Sequence, residues 1–251
     1  MILLSQLVDY LNTLLAIDKI KDYCPNGLQV EGGAEINTIV TGVTASQALI
    51  EHAVAINADA ILVHHGYFWK NEAPQIVGIK KRRIARLLEN NISLLAYHLP
   101  LDLHAELGNN VQLAKVLGWR PDDETAVNGM PPLIRTATLN TPCDGATMVK
   151  HLAQCLQREP LHIPVNKDIK RVAWCTGGAQ SSLLAAADLG VDAYITGEIS
   201  EQTVHEARES GIHFFAAGHH ATERYGVKAL GEFLASKWNV ECHFVDCDNP
   251  V

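Results

Sequence analysis

Apolar positions along the chain fall into three kinds of pattern. The opening stretch MILLSQLVDYLNTLLAI (1–17) sets its leucines at helical spacing between Gln6, Asp9 and Asn12, which predicts an amphipathic helix. Short unbroken apolar runs, AILV (60–63), LLAY (94–97), AYIT (193–196) and HFFAA (213–217), have the length of strands buried on both faces. Mixed-charge stretches, KKRRIARLLENN (80–91) and EQTVHEARESG (201–211), predict helices between those strands. The end, VECHFVDC (240–247), alternates in part and predicts a final strand.

These elements recur. TGVTASQALIEHAVAINADAILVHHG (41–66) and TGGAQSSLLAAADLGVDAYITGE (176–198) each read as a strand end, a Thr-Gly turn and a helix. An Ala-Asp-Ala or Val-Asp-Ala step then leads into an apolar strand. Ile39 and Val40 precede the first copy, and RVAWC (171–175) precedes the second. Downstream, ISLLAYHLPLD (92–102) matches IHFFAAGHHATE (212–223). Strand–helix–strand–helix–strand is the signature of a parallel sheet with crossover helices. The copies lie too far apart for a solenoid, so they predict an α/β protein of two pseudo-repeated lobes with mainly parallel sheets. The lobes are placed at 1–125 and 126–251, the second including a connecting segment. Within that connection WRPDDETAVNGMPPLIR (119–135) reads as loop because of Pro121, Gly129, Pro131 and Pro132. Residues 146–157 read as helix and 160–166 as extended chain.

Composition narrows the class. The 251 residues are 47% hydrophobic and 19% charged, enough for a large core and somewhat low in charge, which favours an oligomer. The net charge of -8, with no basic run beyond Lys80-Lys81-Arg82-Arg83, argues against duplex nucleic acid as a partner. Those four residues read as a solvated helix face. No segment approaches the roughly 20 apolar residues of a membrane span. The N-terminal stretch lacks the basic region and cleavage site of a signal peptide, so a cytoplasmic protein is expected. Six cysteines without a C-x-x-C pair read as reduced thiols rather than a thiolate zinc site.

The candidate chemistry sits where strands end. In parallel α/β sheets ligands gather beyond the carboxyl ends of the strands. AILV ends in His64-His65-Gly66, LLAY in His98 with Asp102 four residues on, and HFFAA in Gly218-His219-His220 with Glu223 one turn later. AYIT ends in Gly197-Glu198. Histidines and carboxylates without cysteine suit zinc, manganese, iron or nickel. Adjacent histidines at a bending strand end can splay toward two ions, and His219 and Glu223 share a helix face. Glu198 and His98 read as groups that orient ligands, and His104 and His220 as candidates for substrate contact or proton transfer. His52 and His205 fit helix surfaces; His151, His162, His213 and His243 fit structural or exposed roles. Asp59 and Asp192 precede strands at equivalent places and read as turn or cap residues. Tyr67, Phe68 and Trp69 form an apolar cluster read equally as core, pocket wall or subunit contact. G-x-G-x-x-G, the P-loop motif and G-x-S-x-G are absent, and Thr176-Gly177-Gly178 reads as a tight turn or an anion-binding amide cluster.

An ordered series of motifs carries a resemblance: YCPNGLQVEG from Tyr23, VTGVTAS from Val40, VHHGYFW from Val63, HLPLD from His98, GNN from Gly108, YITGE from Tyr194 and GHHATE from Gly218. Together they resemble the GTP cyclohydrolase 1 type 2 homologue family, the Nif-three-like proteins, in its short enterobacterial form. The resemblance implies a two-lobed α/β fold assembled as a toroidal homohexamer, with two divalent metal ions per subunit. His64 and Asp102 would hold one ion, His65 and His219 the other, and Glu223 would bridge them. The family's name implies hydrolytic opening of GTP, or of a related nucleotide-like small molecule; by their positions in the sequence, Glu223 would tune a water and His98 or His220 would carry a proton. Two other functions compete: a two-metal phosphoesterase and a non-catalytic metal-binding or regulatory protein.

Overall fold

The computed structural model describes residues 1–122 and 132–251. Most of the loop expected at 119–135 therefore lies outside the described residues. The chain divides into two compact units, one formed by Met1–Asp102 with Gly226–Asp248, the other by Leu103–Tyr225 with Asn249–Val251.

The first unit opens with the helix Leu4–Leu14, which buries Leu4, Leu7 and Leu11 along one face, as its leucine spacing predicts. Its five-stranded sheet runs in the order Glu241–Phe244, Thr38–Thr44, Ala60–His65, Ser93–Ala96, Gly27–Val30. The first four strands are parallel, and Gly27–Val30 adds an antiparallel edge. Val40, Ile61, Val63 and Leu94 pack against Leu49, Ile50 and Ala53 of helix Gln47–Ala55 and against Ile84 and Leu87 of helix Gly78–Glu89. Each large aliphatic side chain fully buried there stabilises the fold by roughly 2 kcal/mol. Ser46 caps the first of these helices by accepting from Leu49 N–H.

The second unit also holds a five-stranded sheet, ordered Arg135–Cys143, Ile169–Trp174, Ala193–Thr196, His213–Ala216, Leu161–Ile163. Its three central strands are parallel and both edges antiparallel, so this sheet is mixed rather than mainly parallel. Alternate residues feed two cores, as the period-two geometry of strands requires. Val172, Trp174, Ile195 and Phe215 pack with Met148, Leu152 and Leu156 of helix Gly145–Leu156. Ala173, Tyr194 and Phe214 pack with Leu183, Ala186 and Ala207 on the other face.

Three local readings change with the structure in hand. Thr41-Gly42 is no turn: both lie inside the strand Thr38–Thr44, paired with Leu62 and Val63. Where the Pro- and Gly-rich pattern predicts loop up to Arg135, the structure has an edge strand, Arg135–Cys143. Asp59 and Asp192 are more than turn residues. Asp59 Oδ2 accepts from Asn37 and Thr38 N–H, and Asp192 Oδ2 from Lys170 and Arg171 N–H, so each clamps the start of the neighbouring strand. Among the described residues no helix is long and apolar enough to cross a membrane.

Candidate functional site

In the first unit the strand Ala60–His65 delivers His64 and His65, and the chain leaving Ser93–Ala96 delivers His98 and, through the turn Leu99–Asp102, Asp102. His64 is fully buried. Its Nδ1 donates to the Tyr97 carbonyl at 2.9 Å, and its Nε2 stands 3.6 Å from Asp102 Oδ2. His65 Nδ1 lies 3.2 Å from the Thr44 hydroxyl on the paired strand. The rings of His64, His65 and His98 are neighbours, with centroids 4.6 Å, 4.9 Å and 5.7 Å apart. Trp69 meets His98 edge-on at 5.0 Å, so the Tyr67–Trp69 cluster walls the histidines. Tyr67 itself is core, with its hydroxyl donated to the Ala45 carbonyl.

Residues outside the expected set brace this cluster. Asp22 Oδ1 accepts from His98 Nδ1 at 2.8 Å, and Asp22 Oδ2 accepts from Leu99 N–H and the Asn26 amide. Asn26 Oδ1 accepts from His98 N–H, and Gln29 grips both backbone groups of Tyr67. Burial alone would raise the Asp22 pKa, but the hydrogen bonds from His98 and Asn26 prevail and hold it at about 2. Cys24 is near His98 and Asp22, yet burial and the Asp22 charge push its thiol up to about 12. The contacts that Asp22 makes with His98 and Leu99 make it a brace for the loop that carries His98.

In the second unit His219 and Glu223 open the helix His219–Trp238, with ring Nε2 and carboxylate Oε2 3.1 Å apart. Glu198, following the strand Ala193–Thr196, accepts from His219 Nδ1 at 2.6 Å. Burial would lower the His219 pKa; the hydrogen bonds and charges of Glu223 and Glu198 outweigh it and raise it to about 9. Glycines let the helix start close in. A Cβ on Gly197 would fall 2.6 Å from His219 Cα, and one on Gly177, at φ 71°, would run into the Glu223 carboxylate. The Gly177 amide donates to the Thr222 hydroxyl and the Thr176 amide to Asn110, so this loop is a tight turn and not an open anion site.

The remaining candidates do other work. His104 Nδ1 accepts from Glu106 and Leu107 N–H, capping its own turn. His220 is buried, and its backbone N–H donates to Val251. Neither joins a group of three or more possible metal ligands among the described residues. Asp22 had no signal in the strand-end pattern; Asn26 and Gln29 stand in the YCPNGLQVEG motif, whose purpose is now visible as loop bracing.

Imidazoles pinned through one ring nitrogen, set beside buried carboxylates, are the donor set that divalent first-row ions accept, so the residues fit a metal. The fold and these strand-end clusters define a mixed-sheet α/β protein with side chains suited to metal ligation. The Duf34/NIF3 (NGG1p interacting factor 3) family model matches residues 2–250, and the chain belongs to that family. A GTP cyclohydrolase 1 type 2 homolog of Pseudomonas aeruginosa is 55% identical over 250 residues, covering 100% of this chain and 99% of its own. One from Escherichia coli K12 is 50% identical over 249 residues, covering 98% and 99%. A solved structure described as protein ybgI, of unknown function, superposes with a TM-score of 0.95 at 49% identity over 100% of both chains.

Proposed function

We propose that the chain binds two divalent metal ions and hydrolyses a nucleotide or related small molecule, with GTP the first candidate. His64 and Asp102 would hold one ion and His65 and His219 the other, with Glu223 a ligand to both. The reading extends to a toroidal homohexamer and a cytoplasmic location. One observation carries the metal assignment. His64 gives Nδ1 to a backbone carbonyl that can only accept, so its proton sits there and Nε2 faces Asp102 as a lone-pair donor. The substrate is suggested by the name GTP cyclohydrolase 1 type 2 homolog that its relatives bear.

A divalent ion, when bound, lowers the pKa of water toward neutrality and supplies a nucleophile at physiological pH. The chain's residues do the rest. Glu223 orients the attacking water, and His98 or His220 carries the proton to the departing group. Asp22 and Glu198 fix the ring orientations of His98 and His219.

The test strips the protein of metal, reloads it with manganese, zinc, iron or nickel in turn, and assays formate and phosphate release from GTP. Glu223→Ala is the control. Formate release that needs metal and Glu223 supports the cyclohydrolase reading. Phosphate release with the same dependence moves the protein to the two-metal phosphoesterases. Two bound ions with neither product leave a metal-binding protein without this activity.

A further inference from the structure

Three histidines of the first unit, His64, His65 and His98, are held alike. His64 Nδ1 meets the Tyr97 carbonyl at 2.9 Å, His65 Nδ1 the Thr44 hydroxyl at 3.2 Å, and His98 Nδ1 the Asp22 carboxylate at 2.8 Å. A carbonyl and a carboxylate only accept, so His64 and His98 carry their proton on Nδ1 and present Nε2 as a donor to metal. The Thr44 hydroxyl can accept in the same way. One ligand atom from each of the three lies within 4.8 Å of the others. Two nitrogens about 2.1 Å from one tetrahedral ion stand about 3.4 Å apart, so a side-chain shift of roughly 1 Å brings His98 onto the ion that His64 holds.

His98 has the strongest brace of the three. The side chain of Asp22 is 3% exposed and is itself fixed by Tyr23 N–H, Leu99 N–H and Asn26. Metal-bound histidines nearly always donate their second N–H to such a partner. The chain also repeats the arrangement. His98-x-x-x-Asp102 and His219-x-x-x-Glu223 each follow a central strand, and each histidine gives Nδ1 to a carboxylate from elsewhere in its unit.

We propose that His98 is a further metal ligand, joining His64 on the ion that His64 holds, and that Asp22 is its positioning residue. The inference rests on the reading above that His64 and His65 hold metal. It leaves proton transfer to His220.

The experiment uses the full chain. Zinc affinity is measured by chelator competition, and the number of imidazoles per ion by X-ray absorption, for wild type, His98→Ala, Asp22→Asn and His65→Ala. His98→Ala is expected to weaken zinc binding about 10- to 100-fold, to lose one imidazole from the zinc shell, and to regain affinity with added imidazole. Asp22→Asn keeps the imidazole but binds zinc about 10-fold more weakly, and it serves if His98→Ala does not fold. Weaker binding in His65→Ala with unchanged affinity and imidazole count in His98→Ala overturns this inference alone. A wild-type chain that binds no zinc, manganese, iron or nickel overturns the metal reading and this inference with it.

Discussion

Glu198 accepts a 2.6 Å hydrogen bond from His219 Nδ1, while the other ring nitrogen of His219 faces Glu223 at 3.1 Å. The imidazole is thereby fixed in rotation between two carboxylates. Glu198→Gln keeps an acceptor and removes the charge; Glu198→Ala removes both. Zinc affinity is expected to fall in that order, with the alanine variant down about 10- to 100-fold. Equal affinity in all three proteins would show that Glu198 does not orient His219 for metal.

The same pair sets a proton balance. His219 is held protonated to about pH 9 in the metal-free chain, and a ligand imidazole must be neutral. Between pH 6 and 8 zinc affinity should therefore rise about tenfold per pH unit from this residue. Calorimetry at pH 7 in buffers of different ionisation enthalpy should detect about one proton released as His219 is engaged. Binding with no proton release would place His219 already neutral, or outside the metal shell.

Gly177 and Gly211 separate backbone strain from site geometry. Both adopt left-handed backbone, at φ 71° and 66°, but a Cβ on Gly211 meets nothing within 4 Å. On Gly177 it meets the Glu223 carboxylate and stands 3.2 Å from His219 Nε2. Either alanine substitution should cost about 1–2 kcal/mol of stability by thermal or urea unfolding. Gly177→Ala alone should also lose zinc binding. Similar zinc affinity in the two variants would refute the placement of Glu223 against this turn.

What could be read from the residues follows from how each element is buried. Ala60–His65, Ala193–Thr196 and His213–Ala216 are covered on both faces, so their sequences are unbroken apolar runs. Arg135–Cys143 buries only its first three residues and continues exposed through Pro142, so it carries no such run. The mixed character of the second sheet lies in that strand and in the short Leu161–Ile163, neither of which has a periodic pattern. His64, His65, Asp102, His219 and Glu223 stand out because strand ends are where α/β proteins place ligands. Asp22 does not, because it reaches His98 from 76 residues away along the chain.

Asp192 offers a test well away from the proposed ligands. Burial would raise its pKa, but the hydrogen bond from Lys167 and the N–H groups of Arg171 and Lys170 hold it below its ordinary 3.8. A carboxylate depressed on folding contributes its full stability above the unfolded value, and that contribution is lost as pH falls through the folded one. Asp192→Asn removes the charge and should destabilise the metal-free protein by about 1–3 kcal/mol at pH 7. The stability gap between wild type and variant should narrow on acidification from pH 5 to pH 2, because only the wild type loses a charged partner there. Urea unfolding of both proteins across that range, with chelator present throughout, measures the gap directly. A gap that stays constant to pH 2 would show that the strand clamp works through the geometry of its hydrogen bonds alone, with no contribution from the carboxylate charge.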